Sequence, residues 1–151
     1  MLRTTEITLQ NRKILQQILH RYSTDQLNTV SIGFSNNIIW NIAHTIATQQ
    51  RLVYKLSGLE VNIPMEIDEL YKRGTKPEHY VQQPEIDLIE SLLFEPVERT
   101  LRDFNSNIFK TFTPFTTMTG FEIRNVTDAM EFNNYHEAVH LGVIMSIGKF
   151  V

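Results

Sequence analysis

Apolar residues recur at helical intervals along four long segments, separated by stretches rich in polar residues, Pro and Gly. The first segment, about Thr5 to Tyr22, places Ile7, Ile14, Leu15, Ile18 and Leu19 near helical spacing and holds no Gly or Pro. The second runs from about Asn36 to Ser57. Ser35 or Asn36 offers a capping oxygen at its start, and Gly58 stands just past its end. The third follows Pro84 and carries Ile86, Ile89, Leu92, Leu93, Val97 and Leu101, with a kink or break predicted at Pro96. The fourth starts near "NVTD", with Asn125 or Thr127 as cap, and runs almost to the C-terminus.

The connections are unequal. "LEVNIPMEIDELYKRGTKPEHYVQQ" links the second and third segments and holds one short predicted helix over "IDELYKR". A connection this long in a compact domain usually serves function or crosses the fold. "TFTPFTTMTGFEIR" precedes the last helix, and its Pro, Gly and Thr content argues against helix. The pattern predicts an all-α chain with residues 1–151 as a single domain: a four-helix bundle with a long connection between helices two and three.

Composition narrows the chemistry. With 151 residues, 42% hydrophobic and 21% charged, the chain is ordinary for a globular domain. It has no cysteine, so a metal site must draw on His, Asp, Glu or backbone oxygen. The longest apolar stretch, "LGVIMSIG", is too short to span a bilayer, and the N-terminus lacks an apolar signal core, so the expected location is cytoplasmic, without membrane association. Net charge is −3 and the 14 Lys and Arg residues are scattered, which argues against a nucleic-acid partner.

"YHEAVHLG" at 135–142 carries His-Glu-x-x-His. On a helix, His136 and His140 point the same way, together with Ala129, Phe132, Asn133, Val143 and Ile147. Two buried imidazoles must each satisfy their ring nitrogens, which hydrogen bonds to carbonyls or a shared metal would do. The zinc-protease reading, with Glu137 as base, fails on length. Only eleven residues follow His140, and none is His, Asp or Glu. A third ligand must come from upstream. His44 shares its face with Asn37, Trp40, Asn41, Thr48 and Arg51, opposite the stripe of Ile39, Ile42, Ile46 and Val53, as in the wall of a polar cleft. His20 ends the first helix and His79 lies in a loop; both are weaker candidates.

A histidine within "WNIAHTIATQQ", then "YKRGTKP", then a terminal helix bearing "HEAVHLG" resembles the DinB-like superfamily of damage-inducible, YfiT-like metalloenzymes. The likeness covers nearly the whole chain. It implies a four-helix bundle in which three histidines bind one divalent metal, often nickel or zinc, with water completing the shell. By position the metal ligands are His44, His136 and His140. It further implies a small-molecule substrate. Some relatives are S-transferases using low-molecular-weight thiols (bacillithiol, mycothiol or glutathione), and others are described as hydrolases.

Three histidines and an open position suit catalysis better than a closed structural site. With no cysteine in the chain, a nucleophilic thiol would belong to the substrate. Asn41 and Asn133, each one turn before a histidine, are candidates to orient ligands, and Arg51 to receive a substrate carboxylate. The competing expectations are a metal- or small-ligand-binding bundle without turnover, and an interaction protein with packed histidines. The last helix, apolar nearly all round from Leu141 to Ile147 and holding Gly142, predicts a homodimer.

Overall fold

The computed structural model describes residues 2–151. Helix α1 (Arg3–Arg21) is followed by a short α2 (Thr24–Asn28), α3 (Ile38–Val53), α4 (Met65–Tyr71), α5 (Gln83–Ser91) and α6 (Glu95–Asn105). A two-stranded hairpin, β1 (Phe115–Thr116) and β2 (Glu122–Ile123), leads into α7 (Val126–Ile147). The chain is mainly helical, as its periodicity predicts. Among the described residues, no helix is long and apolar enough to cross a membrane.

Local chemistry explains most boundaries. The Asn37 side chain accepts the Trp40 N–H at 2.9 Å, so the cap of α3 lies one or two residues beyond the predicted Asn36 or Ser35. After a 3₁₀ turn over Lys55–Ser57, Gly58 adopts φ +73°, a left-handed conformation that a side chain would strain. The predicted break at Pro96 is present: Leu92 to Phe94 separate α5 from α6, and Pro96 occupies the first turn of α6. Asn125 caps α7 by accepting the Asp128 N–H at 2.9 Å. The unpredicted α2 is opened by a capping box between Ser23 and Gln26.

Helix α7 packs chiefly against α3 and α1. The main core gathers Leu15, Ile39, Ile42, Ile46, Ile89, Leu93 and Ile144, and a smaller one under the hairpin joins Val53, Tyr54, Ile123 and Met130. Full burial of each such aliphatic side chain is worth about 1.5–3 kcal/mol.

Two faces differ from expectation. Ile7 and Ile14 are exposed, and α1 instead buries Thr5, Thr8, Arg12, Leu15 and Leu19. The last helix is also less enclosed than its composition suggests, since Gly142 and Met145 are exposed. Strand pairing is antiparallel, Phe115 with Ile123 and Thr116 with Glu122, and Gly120 at φ +90° makes the turn.

Candidate metal centre

Helices α3 and α7 bring three histidines together. Ring centroids lie 4.4 Å apart for His136 and His140, 4.7 Å for His44 and His140, and 5.1 Å for His44 and His136. One nitrogen from each ring lies within 4.8 Å of the others. His20 and His79 are elsewhere, paired with Glu90 and Glu85 near the surface.

Hydrogen bonds set the tautomers of two rings. His44 Nδ1 is 2.6 Å from the Tyr71 carbonyl, which can only accept, so Nδ1 carries the proton. His140 Nδ1 is 2.7 Å from Asn41 Oδ1. The Asn41 amide cannot flip without loss, because its Nδ2 donates to the Asn37 carbonyl at 2.7 Å and to Asn36 Oδ1 at 2.8 Å. Nδ1 of His140 is therefore the donor. In both rings Nε2 keeps its lone pair, and that of His44 accepts from the Thr48 hydroxyl at 3.3 Å. His136 Nδ1 is buried without a partner among the described residues, so its orientation rests on packing. The Trp40 indole stacks on His44 at 4.5 Å and 12°.

All three imidazoles are held neutral. Burial lowers the pKa of His44 below its ordinary value, opposed in part by the bond to Tyr71. Burial, then the neighbouring His140 and His44, then Arg12, lower His136 to about 2. Burial, then His44, lower His140 to about 4. A site that favours three unprotonated lone pairs suits a divalent cation and resists a proton.

Beneath the rings lies a fully buried ion pair. Arg12 donates to Glu137 Oε1 from Nε at 3.1 Å and Nη2 at 2.7 Å, and Nη2 also donates to the Thr45 carbonyl at 3.2 Å. Asn133 Nδ2 donates to the same carboxylate oxygen at 2.9 Å. Glu137 Oε1 thus accepts three hydrogen bonds from two residues, and the side chain is fully buried rather than facing the cleft as a protease base would.

The orienting roles differ in detail from the sequence reading. Asn41 holds His140 across the helix interface rather than His44 on its own helix. Asn133 holds Glu137. Arg51 is not free for a substrate carboxylate: it forms a two-pronged bond to Asp68 at 2.6 and 2.7 Å and reaches Glu69 at 3.0 Å. Sequence reasoning missed Arg12 and the Tyr71 carbonyl. The 3–4 spacing of Thr5, Thr8, Arg12, Leu15 and Leu19 along one helix face could have exposed Arg12. No side-chain pattern announces a carbonyl.

His44 and His136 open onto a cavity of about 470 Å³ between α3, α7 and the hairpin. Thr48 and Arg51, from the face of α3 that carries His44, line it as well. The sequence model of the DinB superfamily matches residues 7–144, a span that includes all three histidines. The chain belongs to the DinB superfamily. No curated protein matches it.

Proposed function

We propose that this member of the DinB superfamily is a metal-dependent enzyme, built as a four-helix bundle of α1, α3, the α5–α6 pair and α7. Its divalent ion, nickel or zinc, is held by His44, His136 and His140. The observation that carries the reading is the convergence of three neutral rings, two of which, His44 and His136, open onto the cavity, with Nδ1 of His44 and His140 anchored so that Nε2 presents a lone pair. A divalent ion in such an open three-imidazole site acts as a Lewis acid and lowers the pKa of a thiol or water that reaches it.

The lining favours a thiol-dependent S-transferase over a hydrolase. Among the described residues no carboxylate lines the cavity, the chain has no cysteine, and Glu137 is turned away into its pair with Arg12. The protein thus offers neither thiol nor carboxylate base there, and a thiol substrate would bring its own nucleophile. The same lack of a protein base supports the second reading, a metal- or ligand-binding bundle without turnover.

Elemental analysis of untagged protein tests the site, beside His44→Ala and His136→Ala. About one nickel or zinc per chain, lost in both variants, is the expected result. Variants that fold and keep the full metal load would overturn the assignment. Turnover of an electrophile with a low-molecular-weight thiol, only in the loaded protein, separates the enzyme from the binding module.

The active form is proposed to be a homodimer joined through α7. Tyr135, Val139 and Met145 expose apolar side chains along one side of this helix, and among the described residues nothing lies within 4 Å of the position a Gly142 side chain would occupy. That combination supports close approach of a second helix.

A further inference from the structure

We propose that the cavity beside His44 and His136 takes a small amphipathic anion, and that Arg73 receives its negatively charged group. This rests on the reading of that cavity as a substrate site and names the class of substrate.

The cavity's volume of about 470 Å³ lies within the range used for small organic ligands. Leu52, Leu56, Phe115 and Phe132 give it an apolar lining suited to a hydrocarbon or aromatic body. Arg51, Lys55 and Arg73 also line it, with no carboxylate among the lining residues. The chain as a whole carries a net charge of −3, so this cationic lining is a local feature and not a consequence of general basicity.

The three cations are not equivalent. Arg51 and Lys55 both pair with Asp68, at 2.6 and 3.1 Å, and Arg51 also pairs with Glu69. Arg73 makes no ion pair among the described residues. An unpaired surface arginine is ordinary in itself. This one is held in register with the histidines by the backbone on both sides of it. Two residues before it, the Tyr71 carbonyl accepts from His44 Nδ1 at 2.6 Å. Two residues after it, the Thr75 hydroxyl accepts from Trp40 Nε1 at 3.2 Å, and Trp40 stacks on His44. Gly74 at φ +88° makes the turn between these anchors. A guanidinium whose backbone is anchored near the reacting end of a cavity can reach in and orient a substrate by its anionic end.

Paired probes test this: phenylpropanesulfonate and the neutral phenylpropyl methyl sulfone, titrated by calorimetry and NMR into metal-loaded protein. A sulfonate is a poor metal ligand, so a preference for it reports a cation of the protein. The wild type is expected to bind the sulfonate about tenfold or more tightly than the sulfone. Arg73→Gln should remove most of that preference, and Arg73→Lys should keep part of it.

Equal binding of the two probes, a preference unchanged in Arg73→Gln, or no binding of either probe at millimolar concentration would each overturn the proposal. Metal content is measured on the same samples. A sulfonate preference that depends on Arg73 in protein unable to hold metal would support the anion site while removing the metal reading. A full metal load without the preference would overturn the anion site alone.

Discussion

Arg12 and Glu137 form an ion pair at 2.7 Å in which both side chains are essentially inaccessible, 1% and 0% exposed. Glu137 is the neighbour of His136 on α7. Arg12 also binds the carbonyl of Thr45, the neighbour of His44 on α3. A single guanidinium from α1 therefore ties together the two helices at the points where they carry histidines. Removing either partner leaves an uncompensated buried charge, which costs far more than loss of a surface pair.

Arg12→Ala is expected to destabilise the protein by about 3–5 kcal/mol in urea unfolding. Replacing both partners with apolar residues of similar volume, Arg12→Met with Glu137→Leu, should recover much of that loss. A destabilisation below about 1 kcal/mol for Arg12→Ala would show that the pair does not hold α1 to α7.

Asn41→Leu should leave the helices intact and weaken metal binding about 10–100-fold, because His140 loses the acceptor that orients it. Asn41→Asp, which keeps the acceptor oxygen but sets its second oxygen against the Asn37 carbonyl, should retain more affinity than Asn41→Leu. Competition with a chelator of known affinity measures both. Equal affinities in the wild type and Asn41→Leu would remove Asn41 from the site.

The metal-free protein should lose stability as pH falls below about 6.5, the ordinary histidine value. Unfolded histidines take up protons there, while the folded rings, depressed to about 4 for His140 and about 2 for His136, do not. Each such group contributes a slope of about 1.4 kcal/mol per pH unit between its unfolded and folded values. Bound metal should raise stability across this range and leave the onset in place, because protonation of the unfolded chain sets that onset. Denaturant unfolding across this range decides the matter, and stability that stays flat between about pH 7 and pH 5 would contradict the burial of neutral imidazoles.

If α7 joins two subunits, the protein should sediment at twice the 17.6 kDa chain mass. Val139→Glu with Met145→Glu should return it to the single-chain mass, since these side chains are 46% and 67% exposed in the isolated chain and so tolerate charge there. A wild type found only at 17.6 kDa at micromolar concentration would end the dimer proposal.

Much of this molecule was legible without its tertiary structure because much of it is local. The 3.6-residue period, the cap at Asn125, the stop at Gly58 and the break before Pro96 depend only on neighbours along the chain. The i, i+4 spacing of His136 and His140 likewise places them on one face wherever the helix goes. The order of motifs pointed to His44 as their partner through resemblance.

Packing decided the rest. Whether a residue at a given helical angle meets solvent, an apolar neighbour or an ion depends on which element lies against that angle. That is how Ile14 came to be exposed while Arg12, two residues earlier, became one of the most deeply buried side chains. The same cause turned Asn41 toward a histidine on another helix and tied Arg51 to Asp68. It also set Arg73 along the same cavity as His44 and His136, two residues after a backbone carbonyl that meets His44. A sequence states which groups a chain carries, and only the docking of α1, α4 and α7 onto α3 states which of them face one another.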